Sequence, residues 1–285
     1  MKTPKRLETL VQDGLIDRVL SRLMSGKEAD IYIVESEGRI RCAKVYKEAV
    51  NRSFKKAAQY QEGRKVRSGR RARAMEKGSK FGRKQQENVW QTAEVNALQR
   101  LQMAGVRVPQ TYGCVEGVLL MELIVGADGD VAPQLAETRP SADQAFDDFI
   151  LMMHYLKLML VEGMVHGDLS EFNVLVDPHG PVIIDLPQAV DAAANNNARA
   201  MFRRDVNNMR RYYGNYSPAI YKTDYANEMW DLFESGELTP ESPLTGFPTK
   251  AAVRSANVDA ILKDISAVKR EEQERLARLR DGQDG

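Results

Sequence analysis

Val165-His166-Gly167-Asp168-Leu169-Ser170-Glu171-Phe172-Asn173-Val174-Leu175 places an aspartate five residues before an asparagine, at a junction between two different periodicities. Upstream, Phe146, Phe149, Ile150, Met153, Leu156, Met159 and Leu160 recur at helical spacing, too apolar all round for a peripheral helix, and the pattern stops at Gly163. Downstream, the short apolar runs Val174–Val176 and Val182–Ile184 flank Asp177-Pro178-His179-Gly180, a turn composition that predicts a small hairpin. The polar stretch is thus held between a buried helix and a hairpin, and Ile183-Ile184-Asp185 brings a second carboxylate to the end of an apolar strand. Beyond it the spacing predicts helices over Ala198–Tyr213 and Tyr225–Phe233. A charged helix follows from Ala251 to Arg280, where Glu271 and Glu274 each precede an arginine by four residues.

The spacing Asp168…Asn173 in this setting matches the H-x-D-x-x-x-x-N loop of kinase-like phosphotransferases. Phosphoryl transfer needs one acceptor to orient the attacking hydroxyl and hard oxygen ligands to hold Mg²⁺ on a polyphosphate. Asp168 suits the first role; Asn173 and Asp185 suit the second, as metal ligands. Asp and Asn also cap turns, and either residue alone would be read that way. Capping does not account for a third polar residue behind Ile183-Ile184, so the constellation favours catalysis.

A kinase-like core makes demands on the N-terminal half. Two β-rich runs, Ala29–Val34 and Ile40–Tyr46, surround a turn with Ser36 and Gly38, and Lys44 in the second would reach the α- and β-phosphates. Alternation puts Cys42 on the Lys44 face, near an adenine. Lys44 requires a carboxylate on a following helix, read over Val89–Ala104: Glu94 is the first choice and Glu87 the reserve. Ser25-Gly26-Lys27-Glu28-Ala29-Asp30, which precedes these strands, is the phosphate-covering loop, although it has one glycine where G-x-G-x-x-G has three. Val106–Val108, Thr111–Val115 and Val118–Ile124 read as further strands, and Met121, Glu122 and Ile124 fall where a linker between lobes would offer backbone groups to the base. Leu7, Leu10, Val11, Leu15, Val19 and Leu23 predict a single opening helix, weakened at Gly14.

The division that follows is an N-terminal helix over 1–24, a β-rich lobe over 25–124, a mainly helical lobe over 125–250, and a charged C-terminal helix and tail over 251–285. Residues 51–84 interrupt the β-rich lobe with thirteen Lys/Arg against Glu62 and Glu76, so this block is +11 within a chain of formal net charge +1. With few large apolar residues it is expected to be flexible, and two readings stay open: an arm for RNA or ribosome, or a solvated insertion. Sparse aromatics, Phe54, Tyr60 and Phe81, argue against sequence-specific RNA reading. No apolar stretch approaches the roughly 20 residues of a membrane span, and no secretory signal opens the chain, so a cytoplasmic protein is expected. Two cysteines, Cys42 and Cys114, and three scattered histidines exclude a disulfide framework and a histidine-rich metal centre.

Together these residues resemble the RIO family of atypical protein kinases, over about Leu7 to Gly214. Ser25-Gly26-Lys27-Glu28-Ala29 is similar to that family's loop, His166-Gly167-Asp168-Leu169-Ser170-Glu171-Phe172-Asn173 to its catalytic loop, and Ile184-Asp185-Leu186-Pro187-Gln188 to its metal loop. Ser170 stands where ordinary protein kinases carry lysine, and no Ala-Pro-Glu follows. The resemblance implies an α+β, two-lobed protein-kinase-like fold, with a small β-rich N-lobe and a mainly helical C-lobe. It would lack an activation segment and a peptide-docking subdomain.

The resemblance further implies Mg-ATP as cofactor, with Mn²⁺ as an alternative ion, and catalysis by Asp168, Lys44 and Glu94. Nucleotide binding would fall to Ser25, Gly26, Lys27, Glu28, Ala29, Cys42, Lys44, Met121, Glu122 and Ile124. Serine autophosphorylation is implied, and in some members ATPase turnover through a phosphorylated metal-loop aspartate, here Asp185; members in archaea and eukaryotes assist maturation of the small ribosomal subunit. A protein substrate or the chain itself would be the acceptor, with Ser53, Ser68 and Ser79 as candidate self-sites. Small-molecule kinases of the aminoglycoside and choline type share the His-Gly-Asp…Asn loop and are the alternative enzyme, against which Ser170-Glu171-Phe172 argues. A ribosome-binding ATP-dependent switch is the alternative of another class.

Overall fold

The computed structural model describes residues 4–26, 28–47 and 93–246. The basic block, the charged C-terminal segment, Lys27, Glu87 and the candidate serines at 53, 68 and 79 lie outside them.

The opening helix is shorter than its apolar spacing predicts. Helix α1 (Lys5–Gln12) buries Leu7 and Leu10 and ends where Gly14 adopts a left-handed φ of 72°. Residues 18–24, expected to be helical, instead form strand β1 (Arg18–Ser25) on β2 (Ala29–Ser36), so the expected boundary at residue 24 falls inside a strand. The register slips between Val19 and Ser21 and again between Arg22 and Met24. These irregularities abolish the two-residue alternation by which a strand is recognised, and Val19 and Leu23 happen to continue the helical spacing of α1.

Strand β3 (Arg39–Tyr46) pairs with β2 across a two-residue turn at Glu37 and Gly38, both at positive φ as a primed hairpin turn requires. With β4 (Thr111–Val115) and β5 (Val118–Glu122) the sheet runs β1-β2-β3-β5-β4, antiparallel throughout. The expected strand at 106–108 belongs to no sheet. Its valines turn into the core, while the Arg107 carbonyl accepts from Ile183 N–H at 3.0 Å. Both faces of the sheet are covered. On one, Leu7, Leu10 and Ile16 pack on Tyr32, Val34, Ala43, Val45 and Val118; on the other, Ala29, Tyr46 and Leu119 join the core of the helical half. Burying Leu7 and Leu10 stabilises the chain by about 1.5–3 kcal/mol each relative to exposure.

Helix α2 is described over 93–103, and the helical half is organised on α3 (Ala142–Val161), capped by Ser141. Lys157, a cation in this apolar helix, reaches out to the Ser242 carbonyl at 3.0 Å. The hairpin β7 (Val174–Asp177) and β8 (Gly180–Ile183) follows the short β6 (Met164–Val165), and β9 (Val190–Asp191) pairs back on β6. Residues 192–197 then lead directly into α4 (Ala198–Gly214), and α5 (Tyr225–Ser235) packs beside it. Among the described residues no helix is long and apolar enough to cross a membrane.

Gly180 closes the hairpin at φ 118°, and a Cβ there would meet Leu151 Cδ2 at 3.1 Å. Gly180→Ala should therefore lower stability by about 1–3 kcal/mol, read as a shifted urea midpoint at unchanged slope. An unchanged midpoint would mean that the turn relaxes freely.

Candidate active site

Alternation along β3 turns Lys44 toward the helical half, where it is buried between two carboxylates. Its Nζ lies 2.7 Å from Glu94 Oε1 on α2 and 2.7 Å from Asp185 Oδ1 beyond β8. The second Glu94 oxygen accepts from the Tyr46 hydroxyl, so Glu94 is fixed from both sides. Burial alone would lower the Lys44 pKa, but the Glu94 and Asp185 charges outweigh it and hold the ammonium charged. Burial likewise opposes ionisation of Asp185, and the charge and hydrogen bond of Lys44 override it, keeping that carboxyl below its ordinary value. One lysine thereby joins sheet, helix α2 and metal loop.

The catalytic loop is held by its backbone. Gly167 N–H donates to Asp205 Oδ2 at 2.7 Å and Leu169 N–H to Asp205 Oδ1 at 3.0 Å. From the same helix α4, Arg204 reaches the Gly167 carbonyl and Asn208 Nδ2 the Leu169 carbonyl at 2.8 Å. These bonds bracket Asp168, whose side-chain oxygens engage nothing among the described residues. Asn173 Nδ2 donates to the Asp168 carbonyl at 2.8 Å, leaving its Oδ1 as an acceptor, and the Asn173 carbonyl takes Ile184 N–H. The Asp168 N–H lies 3.3 Å from His166 Nδ1, and Nε2 of the same ring lies 3.0 Å from the Ile184 carbonyl. Asp185 itself has a φ of 66°, a left-handed turn that aims its carboxylate back at Lys44.

Ser25 and Gly26 close the glycine loop by a small network on Asp30. Asp30 Oδ1 accepts from Ser25 Oγ at 2.6 Å and Arg22 at 2.8 Å, while Lys47 bonds the Gly26 carbonyl at 2.6 Å. Burial pushes the Asp30 carboxyl up, and these donors pull it below its ordinary value. Ala29 is buried in the core and Glu28 holds Lys47 N–H through its carbonyl. Cys42 faces Met121 across β3 and β5, on the Lys44 side, with its thiol pushed up to about 12 mainly by burial, so it is an inert lining group. The Glu122 N–H is taken by the Gln110 carbonyl and the Ile124 carbonyl by Ala132 N–H.

The structure thus brings Lys44, Glu94, Asp168, Asn173 and Asp185 into one connected constellation. Asp205, Arg204, Asn208, Tyr46 and Arg107 are additions that spacing did not single out. The available signal was Arg204, Asp205 and Asn208 on one side of an amphipathic helix, which on a sequence reads as solvated surface.

Sheet, helical half and the Lys44–Glu94–Asp185 bridge over an Asp…Asn loop define the protein-kinase-like class, in its two-lobed α+β form. The RIO domain family model matches residues 30–226, and the chain belongs to the RIO family. It is 34% identical to the RIO-type serine/threonine-protein kinase Rio1 of Haloferax volcanii over 72% of this chain and 66% of that one. It is 27% identical to the serine/threonine-protein kinase RIO1 of Homo sapiens over 85% of this chain and 40% of that one. The serine/threonine-protein kinase RIO1 of Saccharomyces cerevisiae is 26% identical, over 77% of this chain and 49% of that one. The chain therefore spans between two fifths and two thirds of the length of these relatives.

Proposed function

We propose that this chain is an atypical serine/threonine kinase that transfers the γ-phosphate of Mg-ATP to a serine, on itself or on a protein. The observation that carries this reading is the Asp168 carboxylate, unengaged among the described residues yet locked in place on both sides, beside Lys44 held charged between Glu94 and Asp185. Asp168 accepts the hydroxyl proton and aims its oxygen; Lys44 neutralises the α- and β-phosphates; Glu94 and Tyr46 keep Lys44 extended. Ser25, Gly26, Lys27, Glu28 and Ala29 cover the phosphates. Cys42 and Met121 line the base, and the Glu122 carbonyl and Ile124 N–H bond its edge.

Among the described residues no group of three or more His, Cys, Asp or Glu could hold a metal by itself. Magnesium takes one or two protein oxygens and completes its shell with phosphates and water. Asn173 Oδ1 and Asp185 are hard oxygen donors and would hold it, and the ion would neutralise charge on the transferred phosphoryl group.

The RIO names of the relatives support protein kinase over small-molecule kinase. Ser53, Ser68 and Ser79 remain the proposed self-sites, and RNA or ribosome contact through 51–84 is tested by deleting that block. Incubation with γ-labelled ATP and no acceptor should give a hydroxylamine-stable phosphoserine; label lost to hydroxylamine would assign acyl-phosphate chemistry at Asp185 instead. Lys44→Met leaves the buried Glu94 and the half-exposed Asp185 without their shared cation, so it should weaken nucleotide binding and lower kcat/KM about 10²-fold or more, by analogy with loss of one preorganised electrostatic donor. Wild-type kinetics in that variant would overturn the phosphate role.

A further inference from the structure

Arg107 belongs to none of the roles above. Its guanidinium bonds Glu122 in fork geometry, Nη1 to Oε2 and Nη2 to Oε1, both at 2.9 Å. The same Nη2 lies 2.9 Å from Asp177 Oδ2, and Nε lies 3.2 Å from that oxygen. Asp177 is buried, and its other oxygen takes the His179 N–H of the hairpin turn. Glu122 ends β5, two residues before Ile124, while Asp177 ends β7. The backbone repeats the connection: the Arg107 carbonyl accepts Ile183 N–H on β8, and Gln110 exchanges bonds with Glu122 through both N–H groups.

The hairpin so gripped carries Asn173 immediately before β7 and Asp185 two residues after β8. A guanidinium is suited to this, because it presents five donors in a rigid plane and can satisfy two carboxylates at once. Resting on the kinase reading, we propose that Arg107 is a positioning residue that sets the metal ligands Asn173 and Asp185 against the base-binding strand by clamping Glu122 to Asp177. Arg107 touches neither nucleotide nor metal. It acts by fixing the distance between the strand that holds the base and the hairpin that holds the ion.

The test is Arg107→Lys, which keeps the charge and loses the fork, with Asp177→Asn weakening the same clamp from its other end. Binding of ATP to the whole chain is titrated without divalent ion and then against rising Mg²⁺, alongside kcat, KM and the denaturant midpoint. Ion-free ATP affinity should stay near wild type. The half-saturating Mg²⁺ concentration should rise and kcat fall by about 10–100-fold, the range expected when a group supporting a metal's ligands is lost. KM should move far less, and the double variant should be no worse than the more impaired single one. A lowered midpoint with wild-type Mg²⁺ response and kcat would make Arg107 a stabilising residue only and overturn the proposal. A wild-type chain that binds no ATP would overturn the kinase reading as well, so the two failures are distinct.

Discussion

Asp168→Asn is expected to reduce phosphoryl transfer by about 10²–10⁴-fold, the contribution of one positioned general base, while ATP affinity stays within about twofold of wild type. The side chain engages nothing among the described residues, so its replacement breaks no internal bond. What holds the loop is its backbone, through Asp205, Arg204 and Asn208, and asparagine leaves those contacts in place. The amide presents one acceptor oxygen but cannot take a proton, so the acceptor hydroxyl is bound and not activated. Single-turnover transfer and equilibrium nucleotide binding, measured on the same preparation, separate the two effects. Parallel loss of binding would show that Asp168 is a phosphate or metal ligand and not the base.

Asp205→Ala should have the larger structural effect and an equally severe functional one. Its carboxylate is fully buried and satisfies two backbone N–H groups of the catalytic loop. Truncation orphans both, at about 1–3 kcal/mol each, so the unfolding free energy should fall by about 2–6 kcal/mol and transfer should be lost well below the melting temperature. Burial raises the Asp205 pKa to about 6, against the pull of His166 and of the Gly167 and Leu169 donors. A carboxyl whose folded pKa is raised favours the folded state while protonated, so this contribution is lost as pH rises from about 4 to about 6. Asp205→Asn should flatten that part of the stability profile and retain one of the two bonds, giving an intermediate loss. If Asp205→Ala keeps wild-type transfer, the loop is held by Arg204 and Asn208 alone.

Much of the site was legible before any coordinates, because the chemistry restricts residue type and spacing together. Lys44, Glu94, Asp168, Asn173 and Asp185 meet as their positions predict, and the hairpin at 174–183 and the helix before it fall where periodicity puts them. Strand β1 was not legible. Its two register slips destroy the period, and an edge strand with Leu20, Leu23 and Met24 exposed has no buried face to impose one. The run at 106–108 looked like sheet because its valines are buried, but burial comes from packing on the helical half and not from a ladder.

By itself the sequence determined which candidate groups the fold brings together and the order of the elements that carry them, since helix and strand periods are local and motif spacing is covalent. Only tertiary structure decided how those groups are held. Asp205 meets the loop from 36 to 38 residues away, and Arg107 meets Asp177 from 70 away. A buried polar residue on a helix face and a solvated one are the same letter in a sequence. The difference is made by what packs across from them, because only desolvation turns an ordinary carboxylate or guanidinium into a fixed support.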